Sequence, residues 1–284
     1  MFNQNIKAPV NIPVSKIHPF EGNPYKVLDN DEMNNLICSI QEQGILTPII
    51  IRPIENTDEY EVISGHRRLH ATVKAGMKEV PAFIYAVTRD EAAIMLVDSN
   101  LHREHILPSE KAFAYKLKLD ALKHQGKTSM QLAQKLSVEV VGESAGESKD
   151  NVRRYIRLTY LIPELLELVD EEKIALTPAV ELSYLTDEEQ YALLDAIELE
   201  ERTPSLSQAV RFKKLSQTGE LSYEDIETIM QEDKANQKPM FKVSMERLQK
   251  VAPKVKDKDF EDFVLKACEH YYRYLLRQRD RDSR

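Results

Sequence analysis

The chain has 284 residues, more than one ordinary hydrophobic core holds, so we expect two or three compact units. No apolar run approaches the ~18 residues of a membrane span, and no basic-then-apolar leader opens the chain, so we expect a cytoplasmic protein without a membrane partner. The net charge of −8 argues against a surface covered in basic residues. It leaves room for a local DNA-binding face, because charges more than ~10 Å apart are largely screened.

The first third of the chain alternates strand and helix signals. The predicted strands are rich in β-branched residues or alternate apolar and polar residues. The predicted helices begin at caps such as Asn30 and the Thr88–Glu91 capping box. We predict a mixed α/β unit there, with strands at 11–17, 46–53, 60–64 and 79–87 and helices at 30–44, 66–76 and 89–104.

From Leu107 onward the signals are almost entirely helical. Pro108 suits a first helical turn, Thr128 has the spacing of a cap, and Ser148 is predicted to cap a helix that follows it. The stretch 138–148 contains two glycines and several acids, and we interpret it as a long surface turn.

The expected fold class is α+β, in three parts. A mixed α/β domain occupies residues 1–107, an all-helical middle domain residues 108–234, and a small helical segment residues 239–284. A polar linker separates the last two. The final helix carries an apolar stripe, which predicts a homodimer contact; its members are Phe260, Phe263, Val264, Ala267, Cys268, Tyr271 and Leu275.

Two arginines stand where a predicted strand becomes a helix, in the segment SGHRR. A helix start exposes unpaired N–H groups and partial positive charge, and Gly65 lets a ligand approach the backbone. Arg67 and Arg68 add forked donors that suit phosphate, and Asn100 with Arg103 can complete an anion pocket. Three charge-assisted hydrogen bonds from these arginines contribute roughly 4.5–9 kcal/mol, whereas association of a ligand costs ~4–15 kcal/mol. A nucleotide therefore fits better than free phosphate. The plain alternative is that the arginines only solvate a helix start.

Two short helices in the middle part match a helix-turn-helix, in which the second helix presents polar side chains to a DNA groove. Asn151 and Arg153 are placed to read bases, and Arg154 and Arg157 to contact phosphates. An ordinary amphipathic helix with a solvated basic face is the alternative. The candidate DNA-binding residues are Ser129, Lys149, Asn151, Arg153, Arg154 and Arg157.

Three ordered segments make the chain resemble the ParB partition-protein family: residues 39–53 (SIQEQGILTPIIIRP), 62–76 (VISGHRRLHATVKAG) and 99–112 (SNLHREHILPSEKA). They precede the helix-turn-helix, and the resemblance covers roughly residues 11–215. It implies an N-terminal domain that binds CTP and Mg²⁺, and a dimer that loads at a centromere-like DNA site and slides as a clamp. It also implies a ParA-type ATPase as partner, on a plasmid or other mobile element.

The resemblance carries over to single residues. The family's phosphate motif falls on Gly65, His66, Arg67 and Arg68, and its second motif on Ser99, Asn100 and Arg103, with Asn100 the expected Mg²⁺ ligand. The segment that lines the cytosine matches residues 44–52, including Thr47 and Pro48. Two motif glutamates are replaced here, by His66 and Ser99, so we expect CTP binding with at most weak hydrolysis.

Other functions stay open as alternatives. A helix-turn-helix repressor of similar build would use the N-terminal unit for protein contacts alone. A ParB-like nuclease or kinase would show turnover, and the missing glutamates count against it. Sulfiredoxin chemistry is excluded, because Gly65 stands where that family has its catalytic cysteine. A zinc site among His66, His70, His102 and His105 is disfavoured, because no cysteine or paired carboxylate supports it.

Overall fold

A computed structural model of the chain describes residues 8–101, 103, 105–125, 130–232, 245–252, 255 and 259–282. The chain divides into two compact units, residues 1–232 and residues 233–284. Within the described ranges, no helix has both the length and the apolar character needed to cross a bilayer.

A five-stranded mixed sheet forms the N-terminal part, in the order β1-β5-β3-β4-β2. The central strand β3 pairs parallel with β5 and antiparallel with β4. The predicted first strand is divided, because a 3-10 turn follows Pro13, and its two pieces lie at opposite edges of the sheet. The strands are β1 Val10–Pro13, β2 Ile17–His18, β3 Ile49–Pro53, β4 Tyr60–Ser64 and β5 Glu79–Ile84.

Three helices belong to this sheet: α1 Asp31–Gln43, α2 His66–Lys74 and α3 Arg89–Asn100. The predicted caps are confirmed, since the Asn30 side chain accepts from the Met33 N–H and the Thr88 capping box is complete. The helix α3 ends at Asn100, earlier than the predicted residue 104. There the Asn100 side chain donates to the Leu96 carbonyl at 2.8 Å, a local bond that competes with helix continuation.

The rest of the first unit is helical, as predicted. Its largest core cluster joins apolar side chains of α7 to α11, with Phe212 and Leu165 fully buried. The predicted boundary at residue 107 stays a prediction, and α3 packs closely on α4 across it. The helices are α4 Pro108–Gln125, α5 Met130–Ala145, α6 Lys149–Arg157, α7 Pro163–Asp170, α8 Leu176–Leu182, α9 Asp187–Glu200, α10 Leu206–Thr218 and α11 Tyr223–Gln231.

The long surface turn predicted over residues 138–148 is wrong. The helix α5 continues to Ala145, and only Gly146 to Ser148 separate it from α6. Val138 and Val141 are buried in a cluster with α4, so they hold this stretch as a helix. Gly142 tolerates no side chain, because a Cβ there would lie 2.6 Å from the Glu147 carbonyl oxygen. Gly142 is therefore needed for close packing inside a helix, whereas the sequence pattern suggested a turn.

In the second unit the structure describes α12 Met245–Val251 and α13 Phe260–Asp282. The apolar stripe predicted on the last helix lies on α13, and several of its large side chains are exposed, among them Phe263, Tyr271 and Leu275. Tyr271 also stacks on Tyr274, with ring centroids 6.2 Å apart. The dimer contact stays a prediction.

Candidate functional site

The turn from β4 into α2 requires a glycine. Gly65 has φ of +101°, a backbone conformation that residues with a Cβ rarely adopt. A Cβ at this position would lie 2.8 Å from Ile49 Cγ2 on the neighbouring strand. The helix α2 therefore begins directly over the sheet, and its first N–H groups have no intrahelical partner.

A cleft of about 200 Å³ opens at this helix start. It brings together most members of the two predicted phosphate motifs, although they lie more than 30 residues apart in sequence. The lining residues are Asn23, Tyr25, Lys26, Val27, Gly65, His66, Arg67, Ser99, Asn100 and Arg103.

One wall of the cleft, residues 23–27, was missed by the sequence analysis. The Gly22-Asn23-Pro24 composition indicates a turn but not what it faces. Contacts with the helical part of the unit position this loop. The Lys26 N–H donates to Glu110 at 2.8 Å, and the Lys26 ammonium lies 3.5 Å from an Asp170 carboxylate oxygen. The loop therefore joins the cleft to α4 and α7.

Arg103 is the least neutralised cation of the cleft. It is exposed, and none of the described carboxylates pairs with it. Its Nη1 lies 3.4 Å from Asn100 Oδ1, and its guanidinium lies 6.0 Å from the centroid of the Tyr25 ring. Tyr25 is buried, its hydroxyl has no hydrogen-bond partner among the described residues, and burial raises its pKa. The cleft thus presents a cation that no described carboxylate neutralises, and the buried hydroxyl of one lining residue, Tyr25, is unpaired among the described residues.

Arg67 also lines the cleft, where its Nη2 lies 3.0 Å from the Glu32 carboxylate. The Glu32 side chain is 73% exposed. Exposed ion pairs contribute little free energy. A phosphate can therefore compete with Glu32 for this guanidinium.

Arg68 does not line the cleft. Its Nη1 donates to the Pro48 carbonyl at 2.7 Å and to the Thr47 carbonyl, and burial lowers its pKa from the usual value. Arg68 therefore fastens the segment before β3 to α2. Thr47 and Pro48 are absent from the cleft lining as well. The roles predicted for these three residues stay predictions.

His66 is half-buried at the first position of α2. Burial lowers its pKa to about 4, so its imidazole is neutral at pH 7. The Phe20 N–H points to His66 Nε2 at 3.4 Å. A neutral imidazole cannot replace the negative charge of the family's glutamate.

The cleft offers few metal ligands. Its lining includes no carboxylate, and the described residues contain no group of three or more His, Cys, Asp or Glu side chains that could hold a metal ion. Asn100 Nδ2 is occupied by the Leu96 carbonyl, which leaves Oδ1 toward Arg103. Asp98 pairs with Lys118 and does not line the cleft. His102 lies outside the described residues.

The helices α5 and α6 form the second candidate site. Tyr115, Leu119, Val138, Val141 and Val152 pack them on α4. The predicted cap of α6 is confirmed, because Ser148 Oγ accepts from the Asn151 N–H at 3.2 Å. With a turn of three residues, this pair has the short connection typical of a helix-turn-helix.

Each described DNA-binding candidate on α6 has a partner within the chain. Arg153 pairs with Asp150 at 3.0 Å, and Lys149 with Glu139 at 3.4 Å. Both arginine and lysine are exposed, so these pairs can open.

The remaining candidates make tighter contacts. Asn151 donates to Glu147, which also pairs with Lys111. Arg154 donates to Thr177 Oγ1 at 2.5 Å, and Arg157 to the Ser183 carbonyl at 2.7 Å. Ser129 lies outside the described residues.

The family model that matches the chain is "ParB N-terminal domain", over residues 3–101. The chain carries a ParB N-terminal domain. This match confirms the resemblance to the ParB family, and it covers β1 to β5, α1 to α3 and the cleft residues up to Asn100.

Curated relatives extend the ParB match into the helical part. The chain is 33% identical over 165 residues to the chromosome-partitioning protein Spo0J of Thermus thermophilus, covering 58% of this chain and 56% of the relative. It is 31% identical over 172 residues to the nucleoid occlusion protein of Listeria monocytogenes, covering 61% of this chain and 55% of the relative. The chain therefore spans about half the length of these relatives.

Solved structures of the C-terminally truncated ParB of Caulobacter crescentus are also similar. The form complexed to the centromeric parS site has a TM-score of 0.41 and 20% identity, and it covers 78% of this chain and 98% of that one. The form complexed with CTP-gamma-S has a TM-score of 0.32 and 23% identity, over 68% of this chain and 99% of that one. Such low TM-scores carry no functional conclusion.

Proposed function

We propose that this chain is a ParB-type protein that binds double-stranded DNA through α5 and α6, and that CTP in the cleft gates this binding. The observation that carries the proposal is the meeting of the α2 start with Arg67, Asn100 and Arg103 in one cleft. The ParB N-terminal domain and the partition relatives support it.

The cleft suits a triphosphate better than a small anion. Arg103 has no carboxylate partner among the described residues, Arg67 has only an exposed one, and the α2 start adds N–H donors. Charge-assisted bonds contribute ~1.5–3 kcal/mol each, so one bond from each of two arginines, ~3–6 kcal/mol together, offsets only the low end of an association cost of ~4–15 kcal/mol. A ribose and base must add contacts. Arg68 holds the carbonyls of Thr47 and Pro48, in the segment that the family resemblance assigns to the cytosine.

Magnesium fits this cleft only together with the nucleotide. We infer that Asn100 Oδ1 is the protein ligand and that phosphate oxygens supply most of the others, as is usual for this ion. The ion would neutralise phosphate charge. Because no carboxylate lines the cleft and His66 is neutral, we expect at most weak hydrolysis.

The proposed DNA binding depends on α6 and on the short turn that precedes it. Arg153 and Lys149 are exposed on this helix and can leave their surface partners for a duplex. Asn151, Arg154 and Arg157 lie on the same helix. The proposal also includes Ser129, which comes just before Met130 in the sequence. In this proposal the target is a centromere-like site and the DNA-bound protein acts as a sliding clamp on the nucleoid.

Two partners complete the proposal. A second copy of the chain would pair through the exposed apolar side chains of α13, such as Tyr271 and Leu275. A ParA-type ATPase would act on the DNA-bound dimer. The curated relatives include both partition and nucleoid occlusion proteins, and our proposal commits to partition.

The proposal is tested by binding of labelled CTP to the full chain. Replacing Arg103→Gln removes the unpaired cation and is expected to weaken CTP binding roughly 10-fold or more, because a charge-assisted bond contributes ~1.5–3 kcal/mol. Lys78→Gln is the matched control, since Lys78 is exposed, has no carboxylate partner among the described residues and lies away from the cleft. A chain that binds no CTP but still selects a DNA site would be a repressor of similar build.

A further inference from the structure

The cations that lack a carboxylate partner concentrate in a few places. Within the described part of the first unit, most lysines and arginines form ion pairs, as an acidic chain permits. Some belong to the turn and cleft already described. Others lie on or next to α6. Among the lysines and arginines of this unit whose side chains the structure describes, those without an ion pair are Arg68, Lys78, Arg103, Lys116, Arg154, Arg157 and Lys214.

Arg157, at the end of α6, is held rigidly at the surface. Its guanidinium carbon lies 4.5 Å from the Tyr160 ring centroid and 3.8 Å from that of Tyr184. Its Nε and Nη2 donate to the Ser183 hydroxyl and carbonyl at 3.0 and 2.7 Å. The contacts with Ser183 and the two tyrosine rings fix the orientation of the guanidinium. A guanidinium has five N–H donors, so Arg157 keeps donors for a further partner.

Lys116 on α4 extends the same surface. Its ammonium lies 5.5 Å from the centroid of the Tyr160 ring and 3.5 Å from Thr159 Oγ1. No described carboxylate pairs with it. Tyr160 is 55% exposed and Tyr184 39% exposed. The Tyr184 ring lies against two cations, because Arg157 and Lys213 are each 3.8 Å from its centroid. Arg154 continues the surface along α6 toward the start of α8, where it donates to Thr177.

We propose that this surface, Lys116, Arg154, Arg157, Tyr160 and Tyr184, binds the sugar-phosphate backbone of the DNA beside the groove that α6 enters. The proposal rests on the proposed DNA binding and extends it from α6 to α4 and the segment after α8. Cations without carboxylates match the charge of a duplex, and tyrosine hydroxyls are common phosphate donors. Because these contacts read no base edge, they raise affinity for every sequence alike.

The salt dependence of DNA binding tests this surface. The full chain is titrated onto a random-sequence duplex at several salt concentrations, and Lys116→Gln is compared with Lys78→Gln. The slope of log K against log salt is negative, and each lost phosphate contact reduces its magnitude by ~0.9. We expect that reduction for Lys116→Gln and no change for Lys78→Gln, whose lysine is exposed, has no ion pair among the described residues and precedes β5 in the sheet.

Thermal unfolding separates this effect from a folding defect. Lys116 makes two long contacts, with Thr159 Oγ1 at 3.5 Å and with the Tyr160 ring centroid at 5.5 Å, so Lys116→Gln is expected to keep the wild-type melting temperature. If wild type binds DNA and Lys116→Gln has the same salt slope as wild type, the proposed surface is overturned and the proposed function still stands. A wild-type chain that binds no duplex at any salt concentration would overturn both. If this surface bound an acidic protein and not DNA, Lys116→Gln would have the same salt slope on DNA as wild type.

Discussion

The cleft at α2 and the helix α6 both carry arginines, but the two regions use them differently. In the cleft, Arg103 has no carboxylate partner among the described residues and Arg67 has an exposed one. On α6, Arg157 is enclosed by two tyrosines and Ser183, and Asn151 is bound to Glu147. The cleft arginines are therefore available to a ligand, whereas Arg157 also fixes the position of Ser183 at the end of α8. Experiments on the two regions should separate ligand affinity from stability.

The largest effect is expected at the glycine that positions the cleft. Gly65→Ala places a methyl group 2.8 Å from Ile49 Cγ2 at a φ of +101°. The backbone conformation costs ~1–2 kcal/mol and overpacking ~1–3 kcal/mol more, so the free energy of unfolding should fall by their sum. Denaturant titration measures it. Gly22→Ala is the matched control, because Gly22 also has positive φ but nothing within 4 Å of a Cβ. Equal losses at both glycines would show that the close approach to Ile49 is unimportant.

Lowering the pH should reduce the free energy of unfolding through protonation of His66, the residue next to Gly65. Its pKa is about 4 in the folded chain, against an ordinary value of 6.5. The unfolded chain therefore binds more protons between these values, so stability falls as pH is lowered through this window. We expect wild type to lose about 1–3 kcal/mol more than His66→Asn between pH 7.5 and pH 4.5. Parallel losses in denaturant titrations of both proteins would contradict the buried neutral imidazole.

On α6, the comparison predicts opposite results for two arginines. Arg153 is exposed and paired only with Asp150, so Arg153→Ala should leave stability unchanged. It should lower the preference for a cognate site by about 1–3 kcal/mol, as for a lost base contact. Competition between cognate and random duplexes measures this preference, once selection from a random DNA pool has identified the site.

Arg157→Ala is the counterpart on the same helix. It removes two hydrogen bonds and two ring contacts, so we expect about 1–3 kcal/mol less stability. The preference for the cognate site should remain, because Ser183 and the tyrosines orient Arg157 and its remaining donors are proposed to contact the DNA backbone, not a base edge. If Arg157→Ala relaxed the preference without loss of stability, the distinction between the two arginines would be wrong.

Local signals were sufficient for much of the fold. The caps at Asn30, Thr88 and Ser148 lie within three residues of the N–H groups they accept from, so residue type and spacing reveal them. The glycine at the start of α2 was identified for the same reason. The residue types of Asn100 and Arg103 predicted that they complete an anion pocket at Gly65. The family resemblance then assigned both segments to one site, since no local pattern joins residues so far apart.

What the sequence did not reveal depends on distant contacts. The loop at residues 23–27 takes its place from Glu110 and Asp170, which have no periodic relation to it. The stretch after Val138 contains turn-forming residues, yet burial against α4 keeps it helical. The direction of Arg68 likewise depends on the carbonyls of Thr47 and Pro48, which a motif cannot show.

The most direct test of the central claim is a crystal structure of the full chain with a non-hydrolysable CTP analogue and Mg²⁺. We predict the triphosphate at the start of α2, in contact with Arg67 and Arg103, and the base beside the Thr47–Pro48 segment. A nucleotide bound elsewhere, with Arg67 still on Glu32 and Arg103 facing solvent, would contradict the account.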